Sequence, residues 1–287
     1  MTIGRLTLVA TPIGNLGDLS PRAVDVLAAA DAIVCEDTRR TGRLLQHAGI
    51  TSKRLIVANE HTEASAAHTV TDLLATGSHI AVVSDAGMPG IADPGERLVR
   101  AALDLGATVS VVPGPTAAAS ALSISGIAGD RYVSEGFLPR HGAERTERIT
   151  EIAAERRTVV LYEAPHRIVR LVDELIATCD PDRPVALIRE LTKLHEEAWR
   201  GTIGTARVHV GQVEPRGEYV VVLGGRTAEV VDLDGAINAE LTAGRRPSDA
   251  AAAVAQALGV PKRAAYSRAL ELARTRESDH PRQTGAT

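Results

Sequence analysis

Short apolar runs alternate with stretches of helical spacing through the first 125 residues of the chain. The runs are rich in valine, isoleucine and alanine, a pattern typical of strands that are buried on both faces of a parallel sheet. Ser20 and Pro21 indicate a helix start, and Gly77 and Gly106 indicate helix ends. The predicted strands are 6–10, 32–35, 55–58, 80–83 and 109–112, and the predicted helices are 20–30, 63–76 and 95–105. This alternation favours an open α/β sheet that binds ligands at the carboxyl ends of its strands.

A second alternating set of elements begins near Arg131, and only helical spacing remains beyond Thr227. Residues 241–287 hold eight arginines and lysines against four acidic residues. The predicted strands are 132–136, 158–162, 185–189, 197–201 and 219–224, and the predicted helices are 143–156, 166–177, 203–210, 235–243, 248–258 and 262–274. The sequence therefore predicts two α/β domains, 1–126 and 127–226, followed by a basic helical region at 227–287 with a disordered tail at 276–287.

The composition is that of an ordinary folded protein, since 44% of the 287 residues are hydrophobic and 24% are charged. A formal net charge of −4 excludes a general basic field for nucleic acid, and six aromatic residues weigh against base-stacking platforms such as the RRM sheet. Two cysteines, Cys35 and Cys179, are too few for a disulfide framework or a cysteine-based zinc site, and we expect two buried thiols. The nine histidines show no metal-ligand spacing, so we expect no metal.

The amino terminus and the longest apolar runs indicate where the protein works. No basic segment followed by an apolar stretch precedes the first predicted strand, which argues against a secretory signal. The apolar runs are far shorter than the ~20 residues that a membrane span needs. We therefore expect a cytoplasmic protein with no membrane contact.

Three loops that follow predicted strands carry the candidate chemistry. They are TPIGNLG at 11–17, SDAGMPGIADPG at 84–95 and VPGPTAA at 112–118, in which Thr116 is a candidate N-cap of the next helix. Each alone is explained by a tight turn between a strand and a helix, but three in one domain predict a small-molecule site at the strand ends. None has the G-x-G-x-x-G spacing, so a dinucleotide site is unsupported.

Several segments together resemble the tetrapyrrole methylase fold family and, within it, the group that acts on ribosomal RNA. Met88 and Gly90 depart from the Thr and Leu of the family pattern, which leaves the Asp and Gly of that loop in place. The helices on either side of residues 259–263 are also similar to the appendage of that group. The segments cover residues 5–225 and are VATPIGNLGDLSPRA, CEDTRRTGRLL, VVSDAGMPGIADPG, VVPGPTAAASAL, EGFLPR, YEAPHR, RELTKLHEEAWRGT and GEYVVVLGG.

The resemblance implies a cleft between the two α/β domains that binds S-adenosyl-L-methionine. It also implies 2′-O-methylation of a cytidine ribose in 16S rRNA, at the decoding centre of the 30S ribosomal subunit, by a homodimer. The cofactor-binding residues that it implies are Pro12, Asp85, Ala86, Gly87, Ile91, Thr116, Ala117, Tyr162, Glu163, Leu191 and Thr192.

A ribose hydroxyl is a poor nucleophile while protonated, so a base beside it would help. His61 follows the third predicted strand and is our candidate for that base, with Glu60 to orient it, although a polar loop residue explains His61 equally well. Asp37, with Glu36, could instead hold the ribose, or Asp37 could be a helix N-cap.

Arginines are the obvious means of gripping RNA, because their guanidinium groups suit phosphate oxygens. Each of them is also explained as a solvated surface charge, and the basic C-terminal helices could add contacts to the ribosomal subunit. The candidates are Arg39, Arg40, Arg43, Arg140, Arg145 and Arg167.

Two other functions stay open at this point. The same fold could methylate a tetrapyrrole or corrin precursor, although CEDTRRTG and YEAPHR resemble the RNA-acting group. A non-catalytic nucleic-acid-binding module could use the last helices as a helix-turn-helix, with 258–262 as the turn, but this would leave the rest of the chain unexplained.

Overall fold

A computed structural model describes residues 3–59, 61–212, 214–227 and 232–279, with only the backbone described at 277–279. The chain divides into two compact units, residues 1–226 and residues 227–287. None of the helices in the described ranges is long and apolar enough to cross a membrane. A boundary at residue 126 between two α/β domains stays a prediction, because residues 1–226 form one compact unit.

The first sheet has five parallel strands in the order β3-β2-β4-β1-β5. Their bounds are β1 (Arg5–Val9), β2 (Ala32–Cys35), β3 (Arg54–Val57), β4 (His79–Val82) and β5 (Thr108–Val112). The helices that connect them or follow them are α1 (Pro21–Ala29), α2 (Thr38–His47), α3 (Glu63–Ala75), α4 (Glu96–Asp104) and α5 (Ala117–Ser125). The five predicted strands are confirmed, with each bound within one residue.

The apolar runs form these strands because helices cover both faces of the sheet. On β2, Ile33 packs in one buried cluster with Ala23 and Leu27 of α1, while Val34 packs in another with Val70 of α3. Successive strand residues point to opposite faces, so a strand covered on both sides must be apolar throughout. Burial of each large aliphatic side chain contributes roughly 1.5–3 kcal/mol.

The second sheet is mixed and has the order β6-β7-β10-β8-β9. β6 and β7 are parallel and the other pairs are antiparallel. The strands are β6 (Tyr132–Phe137), β7 (Thr158–Glu163), β8 (Pro184–Arg189), β9 (Glu197–Thr202) and β10 (Tyr219–Leu223), and the helices are α6 (Ala143–Ala154), α7 (Ile168–Thr178) and α8 (Ile203–Gln212). Cys179, just after α7, is only half-buried, so the expectation of two buried thiols is correct for Cys35 alone.

Helix α5 joins the two sheets. It follows β5 of the first sheet, but its Ala121 and Leu122 pack in one cluster with Val160 of β7 and Val222 of β10 in the second. Packing of α5 against the second sheet therefore brings the carboxyl ends of the first sheet close to β7 and β10.

The second unit contains three helices, α9 (Leu233–Thr242), α10 (Pro247–Leu258) and α11 (Lys262–Asp279). Its core contains Ile237, Val254 and Ala265, one from each helix. Gly259 ends α10 with φ +64°, a left-handed conformation that suits glycine. Helix α11 extends five residues beyond its predicted end. The tail predicted to be disordered is 276–287, and this prediction is wrong for residues 276–279, which belong to α11, while residues 280–287 lie outside the described residues.

Candidate active site at the strand ends of the first sheet

The loops after β1, β4 and β5 meet at a cavity of about 490 Å³. Ligand pockets in proteins are typically about 300–1,000 Å³, so the cavity can hold a small molecule. The ends of β7 and β10 and the residues after β8 form its opposite wall. Nine residues predicted to bind the cofactor line it: Asp85, Ala86, Gly87, Ile91, Thr116, Ala117, Tyr162, Glu163 and Leu191.

Gly87 is the point where the three loops approach each other most closely. The Thr11 N–H donates to the Gly87 carbonyl at 2.9 Å, and the Gly87 N–H donates back at 3.1 Å. Gly87 has φ +86°, and a Cβ there would lie 3.4 Å from Ile13 and 3.5 Å from the Pro115 carbonyl oxygen. These are ordinary contact distances, so it is the positive φ that would strain a side chain here and that favours glycine at this turn of the loop.

Backbone strain concentrates at the cavity. Ala92, Glu190 and Thr192 have positive φ values of 62°, 50° and 64°, and Ser52 is the one other non-glycine residue in the described ranges with this conformation. Each such residue costs about 1–3 kcal/mol and tends to occur at functional sites. Ala92 and Glu190 line the cavity. Thr192 does not, but it lies in sequence between two residues that do, Leu191 and Lys193.

The first turn of α5 forms part of the cavity wall. Thr116 is the N-cap of the helix, as predicted, and its Oγ1 accepts the Ala119 N–H at 3.2 Å. Thr116, Ala117, Ala118 and Ala119 all line the cavity. A helix N-terminus offers N–H groups that suit an anionic ligand group.

Arg145 is buried in an ion-pair network, which corrects its assignment to RNA binding. Its side chain is 1% exposed, and its Nη2 lies 2.7 Å from Glu174 and 3.5 Å from Glu163. The Pro139 carbonyl accepts a further N–H from Arg145 at 2.9 Å. The donors of Arg145 are thus used inside the protein, and no RNA phosphate can reach them. Arg167, also predicted to bind RNA, lies 2.6 Å from Glu163 and is largely buried.

Asp85 holds the loops after β2 and β4 together. Its Oδ1 accepts the Asp37 N–H at 3.2 Å, and its Oδ2 lies 3.5 Å from Arg40 Nε. Its own N–H donates to Glu36 Oε1 at 3.1 Å. Burial, reinforced by the charge of Asp85, raises the pKa of Glu36.

Asp93 is a cavity residue that the sequence analysis did not single out. Burial, with the nearby charges of Glu36 and Asp85, raises the pKa of Asp93 to about 6, against a hydrogen bond from Ser84 that lowers it. A strongly shifted acid in a cleft is typical of functional sites. The signal in the sequence was the second aspartate of the 84–95 loop, but the sequence does not show its burial.

Neither of the two predicted catalytic residues that the structure describes, Asp37 and His61, lines this cavity, although the Asp37 N–H bonds to Asp85, which does. Asp37 is the N-cap of α2, and the hydrogen bond from the Arg39 side chain lowers the pKa of Asp37 to about 2, which makes it a weak base. His61 is exposed and follows β3, the edge strand. Two residues further on, Glu63 accepts the Gly95 N–H of the loop after β4 at 2.8 Å, but His61 itself is not among the residues that line the cavity. Glu60 lies outside the described residues.

Three predicted RNA-binding arginines, Arg39, Arg40 and Arg43, lie together on α2. With Asp37 they line an open surface cavity, and Arg40 also lines the 490 Å³ cavity. We call these three residues the α2 arginine patch. Pro12 lines a neighbouring cavity of about 350 Å³ with Arg40 and Arg43, rather than the larger one. Arg140 is exposed and stays a candidate for RNA contact.

Four of the six aromatic residues of the chain line the 490 Å³ cavity: Tyr132, Phe137, Tyr162 and Tyr219. The Phe137 ring lies 5.3 Å from the Tyr162 ring, and Phe137 is 61% exposed. The sequence alone does not indicate this cluster, because strands distant in the sequence bring its members together. The described ranges contain no group of three or more histidine, cysteine, aspartate or glutamate side chains that could hold a metal ion.

The comparison with known families gives the class of the protein, which is that of the tetrapyrrole methylases. Residues 5–207 match the family model for tetrapyrrole (corrin/porphyrin) methylases, and residues 233–273 match the model for the RsmI C-terminal HTH domain. The crystal structure of the methyltransferase CobJ superposes with a TM-score of 0.59 at 21% identity, and the match covers 77% of this chain and 94% of that one. The likeness to CobJ shows the fold alone.

Full-length relatives identify the group within this class. The ribosomal RNA small subunit methyltransferase I of Synechocystis sp. is 41% identical over 276 residues, which cover 94% of this chain and 99% of that protein. The protein of the same name from Escherichia coli O157:H7 is 42% identical over 273 residues, covering 93% and 95%. The chain belongs to the ribosomal RNA small subunit methyltransferase I family. The predicted resemblance is confirmed, and the comparisons do not favour a purely non-catalytic module.

Proposed function

We propose that this chain transfers a methyl group from S-adenosyl-L-methionine to 16S rRNA of the small ribosomal subunit. The observation that carries the proposal is the 490 Å³ cavity at the strand ends of a chain whose full-length relatives are named as ribosomal RNA small subunit methyltransferases I. A ribosomal substrate agrees with a cytoplasmic location.

The residues around the cavity fit S-adenosyl-L-methionine. Thr192 Oγ1, next in sequence to the cavity-lining Leu191, is buried without a hydrogen-bond partner in the structure, which is unusual for a buried hydroxyl. The first turn of α5 offers N–H groups that suit a carboxylate. Asp85, Ala86, Gly87, Thr116, Ala117, Tyr162 and Leu191 would hold the compound. When bound, it supplies a methyl group on a positively charged sulfur, already activated for transfer.

The finer proposal is that the acceptor is the ribose 2′-oxygen of a cytidine at the decoding centre. The resemblance of the CEDTRRTG and YEAPHR segments to the RNA-acting group supports it. The α2 arginine patch also supports it, because Arg40 belongs to the patch and also lines the cavity. RNA phosphates held on α2 would bring a ribose to the cavity mouth.

In this reaction the chain acts mainly by positioning. Methyl transfer needs the acceptor oxygen in line with the activated carbon, and a rigid cavity provides that alignment. The paired N–H···O=C bonds between Thr11 and Gly87 stiffen one wall, and the buried Glu163 network stiffens the other. We also propose that the protein acts as a homodimer and that helices α10 and α11 add contacts to the ribosomal subunit.

The test is methyl transfer to purified 30S subunits. Subunits from a strain that lacks the gene for this protein are incubated with the protein and labelled S-adenosyl-L-methionine, and the labelled nucleotide is mapped by mass spectrometry. We expect a single 2′-O-methylcytidine in 16S rRNA. Subunits that already carry this modification are the control and should accept no label. Transfer to a tetrapyrrole or corrin precursor, with none to the subunits, would replace this proposal with the alternative acceptor.

A further inference from the structure

Exposed apolar and aromatic side chains border the mouth of the 490 Å³ cavity. Phe137, the one phenylalanine of the chain, is 61% exposed, and Ile91 and Tyr132 are 56% and 42% exposed. All three line the cavity, and so does Tyr219, which is only 6% exposed and belongs to the buried part of the wall. Because burial of an aromatic or aliphatic side chain is favourable, a flat apolar ligand surface would be stabilised at this mouth.

A β-bulge in β6 turns Phe137 toward the cavity. β6 and β7 pair residue for residue as far as Ser134, and the register then shifts by one residue before Gly136. Gly136 has φ +62°, the left-handed conformation typical of bulges that contain glycine. After the shift Phe137 is the partner of Tyr162, and their ring centroids lie 5.3 Å apart. The bulge therefore decides which way the Phe137 ring points.

Without the bulge, the Phe137 ring would lie on the other face of the sheet. Side chains alternate between the faces along a strand, so a shift of one residue exchanges the faces. On β7, Tyr162 packs in the cluster that contains α5, whereas Leu161 packs in the cluster that contains α6, α7 and α8. In an unshifted register Phe137 would be the partner of Glu163, on the same face as Leu161. The extra residue thus moves an aromatic ring from a face covered by helices to the cavity.

The same cavity is also lined by an exposed cation. Arg40 belongs to the α2 arginine patch, and its side chain is 58% exposed although its Nε lies 3.5 Å from Asp85. A nucleotide combines a flat aromatic base with a negatively charged phosphate. An exposed ring suits the base and an exposed guanidinium suits the phosphate, so the mouth of the cavity has the two groups that a nucleotide of RNA needs.

We propose that Phe137 is the stacking platform for the base of the target nucleotide, an inference that rests on the proposed function. Proteins recognise unpaired bases of RNA by stacking them on aromatic side chains. The Phe137 ring holds the base at the mouth, so that the ribose enters the cavity and a neighbouring phosphate lies toward Arg40. Because every base has a π-face, Phe137 positions the nucleotide and does not select cytosine.

The test measures single-turnover methyl transfer by the full-length protein over a range of concentrations of unmethylated 30S subunits. Phe137→Leu keeps an apolar side chain but has no π-face, so we expect the ratio of maximal rate to half-saturating concentration to fall about 5–150-fold. Phe137→Tyr keeps the ring and should stay within about threefold of wild type. Val208→Ala is the matched control, because Val208 on α8 is also 61% exposed but does not line the cavity.

Two further readouts distinguish the target base from other occupants of the mouth. Calorimetric affinity for S-adenosylhomocysteine should stay within about threefold of wild type in Phe137→Leu, because the ring contacts the substrate rather than the cofactor. The mass of this variant in light scattering should equal that of the wild type. An affinity loss as large as the loss of methyl transfer would assign the ring to the cofactor. A change of mass would assign it to an interface between two copies of the chain.

The stacking role can fail while the proposed function holds. If the wild-type protein methylates the subunits and Phe137→Leu does so equally well, the stacking role is overturned and the proposed function remains. A loss in Phe137→Tyr as large as that in Phe137→Leu would also overturn it, since the ring would then not be the group that matters. If the wild-type protein transfers no methyl group to the subunits, the proposed function fails, and the stacking role fails with it.

Discussion

The arginines of this protein have different roles. Arg145 is buried against Glu163 and Glu174, whereas Arg39 and Arg43 are exposed on α2. Burial of a charge is costly, so a buried arginine needs partners for its charge and its donors. Arg145 has these partners, and it links α6 to the end of β7, where the cavity wall begins.

Removal of Arg145 should destabilise the fold. Arg145→Met would leave Glu163 buried with Arg167 as its one cationic partner, so we expect the free energy of unfolding to fall by about 2–4 kcal/mol. Arg148→Met is the control, because Arg148 is 44% exposed in its ion pairs and such pairs contribute about 0–1 kcal/mol. Urea unfolding followed by circular dichroism measures both. An equal, small effect of the two substitutions would show that the buried network contributes little to stability.

At the scale of elements, the start of α2 is unusual for a helix. Arg39 and Arg40 lie in its first turn, where positive charge opposes the helix dipole at a cost of about 0.3–1 kcal/mol per residue. The N-cap Asp37 offsets part of this cost through its pair with Arg39 at 2.9 Å. A charge pattern that does not favour the helix agrees with the proposed binding of RNA phosphates by α2.

The α2 arginine patch should control affinity for RNA but not for the cofactor. We expect Arg39→Ala/Arg43→Ala to weaken the affinity for 30S subunits, independently of base sequence. The slope of log affinity against log salt should fall by about 0.7–0.9 for each phosphate that the variant no longer neutralises. Filter binding between 50 and 200 mM salt measures the slope, a range in which phosphate contacts have large effects. Arg100→Ala, an exposed arginine on α4, is the control and should leave the slope unchanged. An unchanged slope in the double variant would place the RNA elsewhere.

Helices α2 and α5 also show why some elements were harder to predict than others. The sequence placed their first residues, the arginine-rich start and the Thr116 cap, but not their full extent. α5 is made almost entirely of alanine, serine, leucine and isoleucine, so no polar face marks a period. It packs against the second sheet, and its burial there results from tertiary packing that no local pattern indicates.

At the scale of the whole molecule, the two compact units have separate cores. All ten described strands and the 490 Å³ cavity belong to residues 1–226, and the three helices of the second unit bury a cluster of their own. A unit with its own core can fold alone in principle.

A protein truncated to residues 1–226 should therefore keep its cofactor site. We expect cooperative thermal unfolding and an affinity for S-adenosyl-L-methionine within about threefold of the full chain, because every residue that lines the cavity is retained. Methyl transfer to 30S subunits should weaken about tenfold if α10 and α11 contact the rRNA. Calorimetry and the single-turnover assay measure the two quantities. Loss of cofactor affinity in the truncated protein would show that the site needs the second unit.

The local sequence pattern was sufficient to predict the ten described strands and the three loops that border the cavity. A strand covered on both faces must be apolar throughout, and a tight strand-to-helix turn needs glycine and proline, so both leave a direct mark on the sequence. Thr116 as an N-cap and the closeness of residues 11–17 to 84–95 followed from these marks.

The chemistry of the individual side chains depended on which strands became neighbours. The sheet order leaves β3 at the edge, and His61, which follows it, does not line the cavity, while the packing of α5 brings four scattered aromatic rings to the cavity. Arg145 became a buried structural group and Asp93 an acid of raised pKa because distant segments remove water from both. Desolvation is a property of the three-dimensional surroundings, and residue type and spacing along the chain do not encode it.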